Sequence, residues 1–156
     1  MKNPFRVLMY IPVPWVFVLC YLVGGGLGRL HPTDFFASAA RASNIAGAVL
    51  FALGAVIAGW GWMLFRVART TTVPGQASAK LVDYGPYRFT RNPMYIGLTL
   101  AYLGEAGLLK QPWPVVVLPF VIAYLNWIVI PVEEAKLAEV FPGDYERYRS
   151  QVRRWF

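Results

Sequence analysis

Apolar residues fall into four long runs along the chain, separated by shorter polar segments. The runs cover residues 7–28, 42–65, 93–109 and 113–132, and only the third contains a charged side chain. A helix needs roughly 20 apolar residues to cross the hydrocarbon core of a bilayer. The pattern therefore predicts an all-α integral membrane protein with about four transmembrane helices.

The third and fourth runs are joined by a very short connection, residues 110–112. Such a connection makes two neighbouring helices an antiparallel hairpin. The start of the third helix and the end of the fourth then lie on the same side of the membrane. Polar clusters occur at both places, the loop 66–92 and the pair Glu133-Glu134. We therefore predict that the loop and the glutamate pair form one site.

Two smaller patterns refine the helices. The first run contains Pro12 and Pro14, which predict a kink or break in its first half. Small residues recur along one side of the second run and predict that another helix approaches closely there. These residues are Gly47, Gly54, Ala58 and Gly61.

Residues 133–156 are more polar than the four runs and are expected to form a cytosolic tail. Within this tail, Tyr145, Tyr148 and Val152 recur at helical spacing. Arginines fill many of the positions between and after them. The pattern predicts an amphipathic helix of the kind that lies on an anionic lipid surface.

The overall composition agrees with a membrane protein, since 57% of the residues are hydrophobic and 15% are charged. Soluble domains carry roughly 25% charged residues. The net charge of +7 is not laid out as a continuous basic stripe, so nucleic-acid binding is not expected. A single cysteine, Cys20, and a single histidine, His31, provide neither a disulfide nor a metal-binding cluster.

The basic residues also predict an orientation. Four spans would place twelve of the 15 lysines and arginines on the side of the two termini and the loop 66–92. The other side would hold Arg29, Arg41 and Lys110. Because positive residues favour the cytoplasmic side, both termini and the predicted site are expected in the cytoplasm. The chain is then a multi-pass protein, expected in a bacterial inner membrane.

The most distinctive stretch is residues 85–95, which is dense in polar and aromatic side chains. Gly85-Pro86 marks a turn, and Pro93 suits the first turn of a helix. With its flanking segment and the later polar positions, this stretch resembles the superfamily of isoprenylcysteine carboxyl methyltransferases and phospholipid N-methyltransferases. The resemblance rests on residues 81–88 and 91–95, Glu133, Glu134, Leu137, Phe141, Tyr145, Tyr148, Val152 and Arg154.

The resemblance implies a single membrane methyltransferase domain over residues 1–156. A helical hairpin and the cytosolic tail 133–156 would enclose S-adenosylmethionine next to the cofactor loop 66–92, and a hydrophobic acceptor would enter from the lipid. It assigns catalytic positions to Arg91 and Glu134. It assigns cofactor binding to Leu81, Val82, Gly85, Tyr87, Arg91, Asn92, Tyr95, Glu133 and Glu134.

The chemistry of the residues agrees with this cofactor, which carries a carboxylate, an ammonium and a sulfonium. Arg91 can bind a carboxylate at two points, adjacent glutamates can neutralise cationic groups, and aromatic faces favour a sulfonium. Asn126 lies seven residues before Glu133, on the same helical face. It is expected either to face the acceptor cavity or to form a hydrogen bond within the bundle.

Two departures from the family pattern concern the acceptor. Many relatives have histidine where this chain has Asn92, and arginine where it has Val129. A phospholipid amine, an isoprenylcysteine-like carboxylate and a thiol therefore all stay open as acceptors. Two other functions are alternatives: a nicotinamide-dependent membrane enzyme similar to sterol reductases, and a membrane scaffold without catalytic activity.

Overall fold

The computed structural model describes residues 12–36, 39–70 and 80–156, and the regular elements within them are all helical. A π-helical turn, Leu125–Val129, joins α4 to α5 without a break, and a 3-10 turn, Gly85–Arg88, precedes α3. The α-helices are α1 (Val13–Leu30), α2 (Ala40–Val67), α3 (Pro93–Leu108), α4 (Pro112–Tyr124), α5 (Ile130–Val140) and α6 (Asp144–Gln151).

Three helical stretches of the described chain are long and apolar enough to cross a membrane: Val13–Leu30, Ala40–Val67 and the continuous Pro112–Val140. Many of their large apolar side chains are exposed, and Leu22 and Val56 are 64% and 66% accessible. Soluble proteins rarely expose large continuous apolar surfaces, so lipid is the natural surrounding of these helices. The prediction of an all-α membrane protein is confirmed.

The third predicted span, α3, is shorter than the others. It has 16 residues, which corresponds to a length of roughly 24 Å at the usual rise of an α-helix. A typical hydrocarbon core is about 30 Å thick. The number of four spans and the boundaries of the single domain therefore stay predictions.

The helix α3 packs along α2 with almost no side chains between them. A Cβ atom added to Gly54 would lie 2.5 Å from the carbonyl oxygen of Gly97, and one added to Gly47 would lie 2.8 Å from that of Gly104. The backbones are therefore in direct contact, as the small residues of the second run predict. We call this contact, made by Gly47, Gly54, Gly97 and Gly104, the α2–α3 seam.

The helix α1 packs against α4, where a Cβ on Gly24 would lie 2.5 Å from the backbone of Pro114. Within the described residues, α1 runs continuously from Val13 and has no break at Pro14, whereas Pro12 has a non-helical backbone. Pro12 is the residue that precedes α1, and Pro14 lies in its first turn, where proline is tolerated because the N–H has no helical partner. The predicted start at residue 7 lies outside the described residues.

The tail differs from the prediction in two ways. The last apolar run does not end the helix at residue 132, since α5 continues to Val140. The apolar face of α6 covers protein rather than lipid, because Tyr145 and Tyr148 are 1% and 8% exposed. Its arginines are also paired with acidic residues one turn earlier, Arg147 with Asp144 at 3.3 Å and Arg149 with Glu146 at 3.8 Å. The structure therefore does not support the prediction that this helix lies on anionic lipid.

Candidate active site

The loop before α3 is anchored on the end of α2. Gly85 has φ +64°, a conformation that residues with a Cβ rarely adopt, and an added Cβ would lie 2.7 Å from Leu64. The 3-10 turn that follows buries Tyr87, which is 4% exposed. Its carbonyl oxygen accepts a hydrogen bond from the hydroxyl of Tyr148 at 2.8 Å. The loop is thus fixed between α2 and α6.

The end of the chain crosses this loop just before α3. We call residues 152–156 the tail segment. The backbone N–H of Arg91 donates to the carbonyl of Arg153 at 3.0 Å. The side chains of Thr90 and Asn92 both donate to the carbonyl of Arg154, at 3.0 and 2.9 Å. These bonds hold the tail segment against the start of α3.

Glu134 lies between two guanidinium groups. Its Oε1 is 3.1 Å from Nη2 of Arg91 and accepts from Nε of Arg154 at 3.1 Å. Its Oε2 accepts from Nη2 of Arg154 at 2.6 Å. The side chains of Glu134 and Arg91 are only 13% and 11% exposed, so these interactions are weakly screened by solvent.

Glu133 has a different environment, although it is the next residue in the chain. Its Oε1 accepts a hydrogen bond from the hydroxyl of Tyr95 at 2.7 Å. Among the described residues, no lysine or arginine lies within ion-pair distance of it. One glutamate is therefore neutralised by cations, and the other is held by a neutral donor.

Two buried polar atoms near this cluster have no hydrogen-bond partner within the described part of the chain, Nε of Arg91 and the hydroxyl of Tyr87. The other nitrogens of Arg91 are used, since Nη1 donates to the hydroxyl of Tyr145 at 3.3 Å and Nη2 contacts Glu134. Buried polar groups normally have partners. An unpartnered donor beside a cluster of charges is a point at which a ligand can bind.

Electrostatics keeps the surrounding groups in the protonation states that these contacts need. Hydrogen bonding to Glu134 raises the pKa of Arg154, so its guanidinium stays charged. Burial raises the pKa of Tyr148 and of Tyr145 above the usual value for a phenol. Both tyrosines are therefore neutral, and Tyr148 keeps the proton that it donates to Tyr87.

The structure brings part of the predicted site together. Arg91, Tyr95, Glu133 and Glu134 meet at the start of α3 and in α5, and Asn126 joins them through Arg154, whose Nη1 lies 3.2 Å from its Oδ1.

The remaining predicted residues lie around this cluster. Asn92 is buried and directs its amide to the tail segment. Val82 and Tyr87 pack with Tyr145 and Tyr148 in a second apolar cluster, separate from the apolar core that α1, α3 and α4 share, and Leu81 lies at its edge. Gly85 lies against α2 instead.

A cleft of about 420 Å³ adjoins that second cluster. The loop and α6 form its walls. It is lined by Leu81, Asp83, Arg88, Asp144, Arg147, Tyr148, Gln151 and Val152. The cleft therefore adjoins the predicted cofactor loop, with Leu81 and Tyr148 on its boundary.

Arg154 has a place in this site that the sequence did not reveal. Its neighbour Arg153 carries the same charge, and both belong to a run of basic residues, so no periodicity separates them. The only signal was its position within the stretch that resembles the methyltransferases. The contacts to Glu134 and Asn126 depend on how the chain returns to the bundle.

A comparison with protein families identifies the family of the chain. The model of the phospholipid methyltransferase family matches residues 42–144, from the first turn of α2 to the first residue of α6. The chain belongs to the phospholipid methyltransferase family. No curated protein and no solved structure matches it.

Membership in the phospholipid methyltransferase family confirms the resemblance seen in the sequence and extends it toward the N-terminus, because the match includes α2. It indicates a membrane methyltransferase that acts on lipids. The match ends at residue 144, before Tyr145, Tyr148 and the tail segment. The contacts that complete the site around Glu134 therefore come partly from a region beyond the family match.

Proposed function

We propose that the protein transfers a methyl group from S-adenosylmethionine to a lipid or another hydrophobic acceptor. The observation that carries this proposal is the contrast between the two glutamates. Glu134 is bound by two guanidinium groups, whereas Glu133 is bound by the hydroxyl of Tyr95. The carboxylate of Glu133, which is held by a neutral donor, lies beside the pair Arg91 and Arg154. Such a site suits a ligand that carries both anionic and cationic groups.

The residues present fit S-adenosylmethionine. The buried and unpartnered Nε of Arg91 can donate to the carboxylate of the ligand. Glu133 can accept hydrogen bonds from its ammonium, and the rings of Tyr87 and Tyr95 are of the type that favours a sulfonium. When bound, S-adenosylmethionine supplies an electrophilic methyl group. The contribution of the protein is to orient ligand and acceptor, which can account for most of the rate of such a displacement.

The other predicted residues divide into two groups. Leu81, Val82 and Gly85 are proposed to contact the adenine, and Leu81 lines the adjoining cleft. We reassign Asn92, because its amide nitrogen already donates to the carbonyl of Arg154. It is proposed to hold the tail segment in place rather than to contact the ligand.

The acceptor is proposed to be a lipid with an amine headgroup. Val129, at the position where many relatives have arginine, is 2% exposed and lies in the apolar core. It contributes no cation that could bind an anionic acceptor such as a carboxylate. Asn126, near the arginine cluster, supplies a polar side chain on the same helix and is proposed to lie on the acceptor side.

The test is to incubate purified protein with methyl-labelled S-adenosylmethionine and defined vesicles. One set contains an aminophospholipid, a second contains a lipid without an amine, and further reactions contain an isoprenylcysteine analogue or a lipophilic thiol. Label in the aminophospholipid alone is the expected result. Label in the carboxylate or the thiol would leave the enzyme class intact and overturn the amine acceptor.

Ligand binding is tested separately by thermal unfolding in detergent. S-adenosylhomocysteine, the demethylated product, should raise the melting temperature, because a ligand that binds only the folded state stabilises it by mass action. Stabilisation by a nicotinamide dinucleotide instead would favour a reductase. Folded protein that neither ligand stabilises, with no methyl transfer, would favour a scaffold.

The site is proposed to face the cytoplasm, with both termini on that side. Single cysteines placed at two exposed positions, Ser150 in α6 and Asp34 between α1 and α2, test this in a Cys20→Ala background. A membrane-impermeant thiol reagent added to intact cells should label position 34 and not position 150. The reverse pattern would place the site outside.

A further inference from the structure

Arg154 uses all three nitrogens of its guanidinium to join two parts of the site. Nε and Nη2 donate to the two carboxylate oxygens of Glu134, at 3.1 and 2.6 Å. Nη1 lies 3.2 Å from Oδ1 of Asn126 and 3.5 Å from its carbonyl oxygen. A two-point bond to a carboxylate fixes its rotation as well as its distance. Arg91 makes a single contact with Glu134 and leaves that rotation free.

The carbonyl of Asn126 needs a donor from outside its helix. In the π-helical turn, the N–H of Ile130 donates to the carbonyl of Leu125 rather than to that of Asn126. The next residue, Pro131, has no N–H to donate. The local backbone therefore leaves the Asn126 carbonyl available, and Arg154 approaches it. Single π-turns of this kind occur frequently at functional sites.

The position of Arg154 is itself fixed by the loop. Its carbonyl accepts from Thr90 and Asn92, and the carbonyl of Arg153 accepts from the backbone of Arg91. The indole of Trp155 adds a donor to Oδ1 of Asn126 at 3.3 Å. The backbone of Arg154 is therefore fixed to the loop, and its guanidinium is suited to orient Glu134 and Asn126.

We infer that Arg154 is a positioning residue that sets the orientation of Glu134 and couples it to the π-helical turn at Asn126. The inference rests on the proposed function, since it assumes that Glu134 lies on the cofactor side and Asn126 on the acceptor side of one site. Arg154 contacts both residues and would support both sides. It goes beyond that function because it attributes the geometry of the site to the tail segment. Arg154 is not assigned a contact with the reacting atoms.

Replacement of Arg154 with Ala, Lys or Gln tests the inference. Arg149→Ala is the control, because Arg149 is a half-exposed arginine on α6 that takes no part in the site. We expect Arg154→Ala to lower kcat about 100-fold, since small misplacements of reacting groups cost that much. The affinity for S-adenosylhomocysteine should fall less, by under about 10-fold. Arg149→Ala should behave as the wild type.

Arg154→Lys separates position from charge. Lysine keeps the positive charge but cannot make the two-point bond to Glu134. We expect kcat of this variant to stay at least about 10-fold below that of the wild type, with unchanged ligand-free melting. Full recovery by lysine would overturn the positioning role and leave only a requirement for charge. The lysine variant also keeps the test decisive if Arg154→Ala does not fold.

A readout without turnover completes the test. Ligand-free melting of Arg154→Gln, Asn126→Ala and the double variant should be non-additive, because residues in one hydrogen-bond network are coupled. Additive shifts would contradict the link to Asn126. A wild-type protein that neither binds S-adenosylhomocysteine nor transfers methyl would overturn the proposed function and this inference with it. Wild-type kinetics of Arg154→Ala in an otherwise active enzyme would overturn this inference alone.

Discussion

Two regions of contact around α3, the α2–α3 seam and the polar cluster at the start of the helix, are built in opposite ways. Along the α2–α3 seam, the backbones touch because side chains are missing at Gly54, Gly97 and Gly104. At the start of α3, contact is made by long side chains, and the side chain of Arg91 reaches both Glu134 and Tyr145. Close backbone packing stabilises the seam. Charge and hydrogen bonding stabilise the polar cluster, which consists of Arg91, Tyr95, Glu133, Glu134 and Arg154.

This difference determines how each region responds to change. An added atom in the seam meets backbone, which cannot rotate away, so the whole helix pair must separate. A changed group in the polar cluster leaves the helices in place and alters the balance of charge. Seam variants are therefore expected to lose the fold, and variants of the polar cluster to lose binding, except where a buried ion pair is broken.

The largest effect is expected for Gly54→Val. Overpacking usually costs about 1–3 kcal/mol, and here the nearest atoms belong to the backbones of Ala101 and Gly97. The free energy of unfolding should fall by more than about 3 kcal/mol, measured by thermal unfolding in detergent. Gly59→Val is the matched control on the same helix, since a Cβ there meets nothing within 4 Å. Equal melting of the two variants would contradict the seam.

Glu134→Gln should have the next largest effect. It leaves Arg91 and Arg154 close together without their shared carboxylate, and breaking a buried ion pair costs about 3–5 kcal/mol. We expect the low end, about 3 kcal/mol, because the side chain of Arg154 is 31% exposed. Ligand-free melting measures this loss. Melting unchanged from the wild type would show that the two arginines do not depend on Glu134.

Glu133→Gln should affect binding more than stability. Glutamine keeps an oxygen that can accept from Tyr95, so ligand-free melting should hardly change. A hydrogen bond to a charged group contributes about 1.5–3 kcal/mol, so the affinity for S-adenosylhomocysteine should fall about 10- to 100-fold. Calorimetric titration measures it. Equal effects of Glu133→Gln and Glu134→Gln on melting would remove the distinction between the two glutamates.

The smallest effect is expected for Tyr95→Phe, which removes the hydroxyl that holds Glu133 and keeps the ring. The loss of one hydrogen bond is worth about 1 kcal/mol, or roughly a 5-fold lower affinity for S-adenosylhomocysteine. Tyr102→Phe is a comparison within α3, because its hydroxyl donates to the carbonyl of Pro114, away from the site. Affinity that falls more in Tyr102→Phe than in Tyr95→Phe would contradict this arrangement.

The helices were largely predictable from the sequence, because apolar runs and small-residue spacing act locally. The predicted spans 42–65 and 93–109 differ from α2 and α3 by at most two residues at either end. The meeting of Arg91 with Glu134 was also predictable, since a short connection forces the hairpin. The continuation of the helix into α5 was not predictable. The charged pair Glu133-Glu134 marks the end of an apolar run in the sequence, although the backbone remains helical there.

The tail segment could not be placed from its sequence. Its bonds to Thr90 and Asn92 join residues 64 and 62 positions apart, and no periodicity reports such contacts. The π-helical turn was equally hidden, since its residues read as ordinary apolar helix. The difference between Glu133 and Glu134 depends in part on Arg154, which belongs to the tail segment, and therefore it appears only in the structure.

The long separation of these bonds has a consequence for the order in which the protein assembles. Contacts between distant segments form only after the entropy of closing the intervening chain has been overcome. The tail segment follows all the helices in the chain, so the helices can insert and pair before its bonds to residues 90–92 form. In a chain whose helices have paired but whose tail segment has not reached the loop, Glu134 would still be free of Arg154. A variant that stalls there would look correctly folded in the membrane and yet be inert.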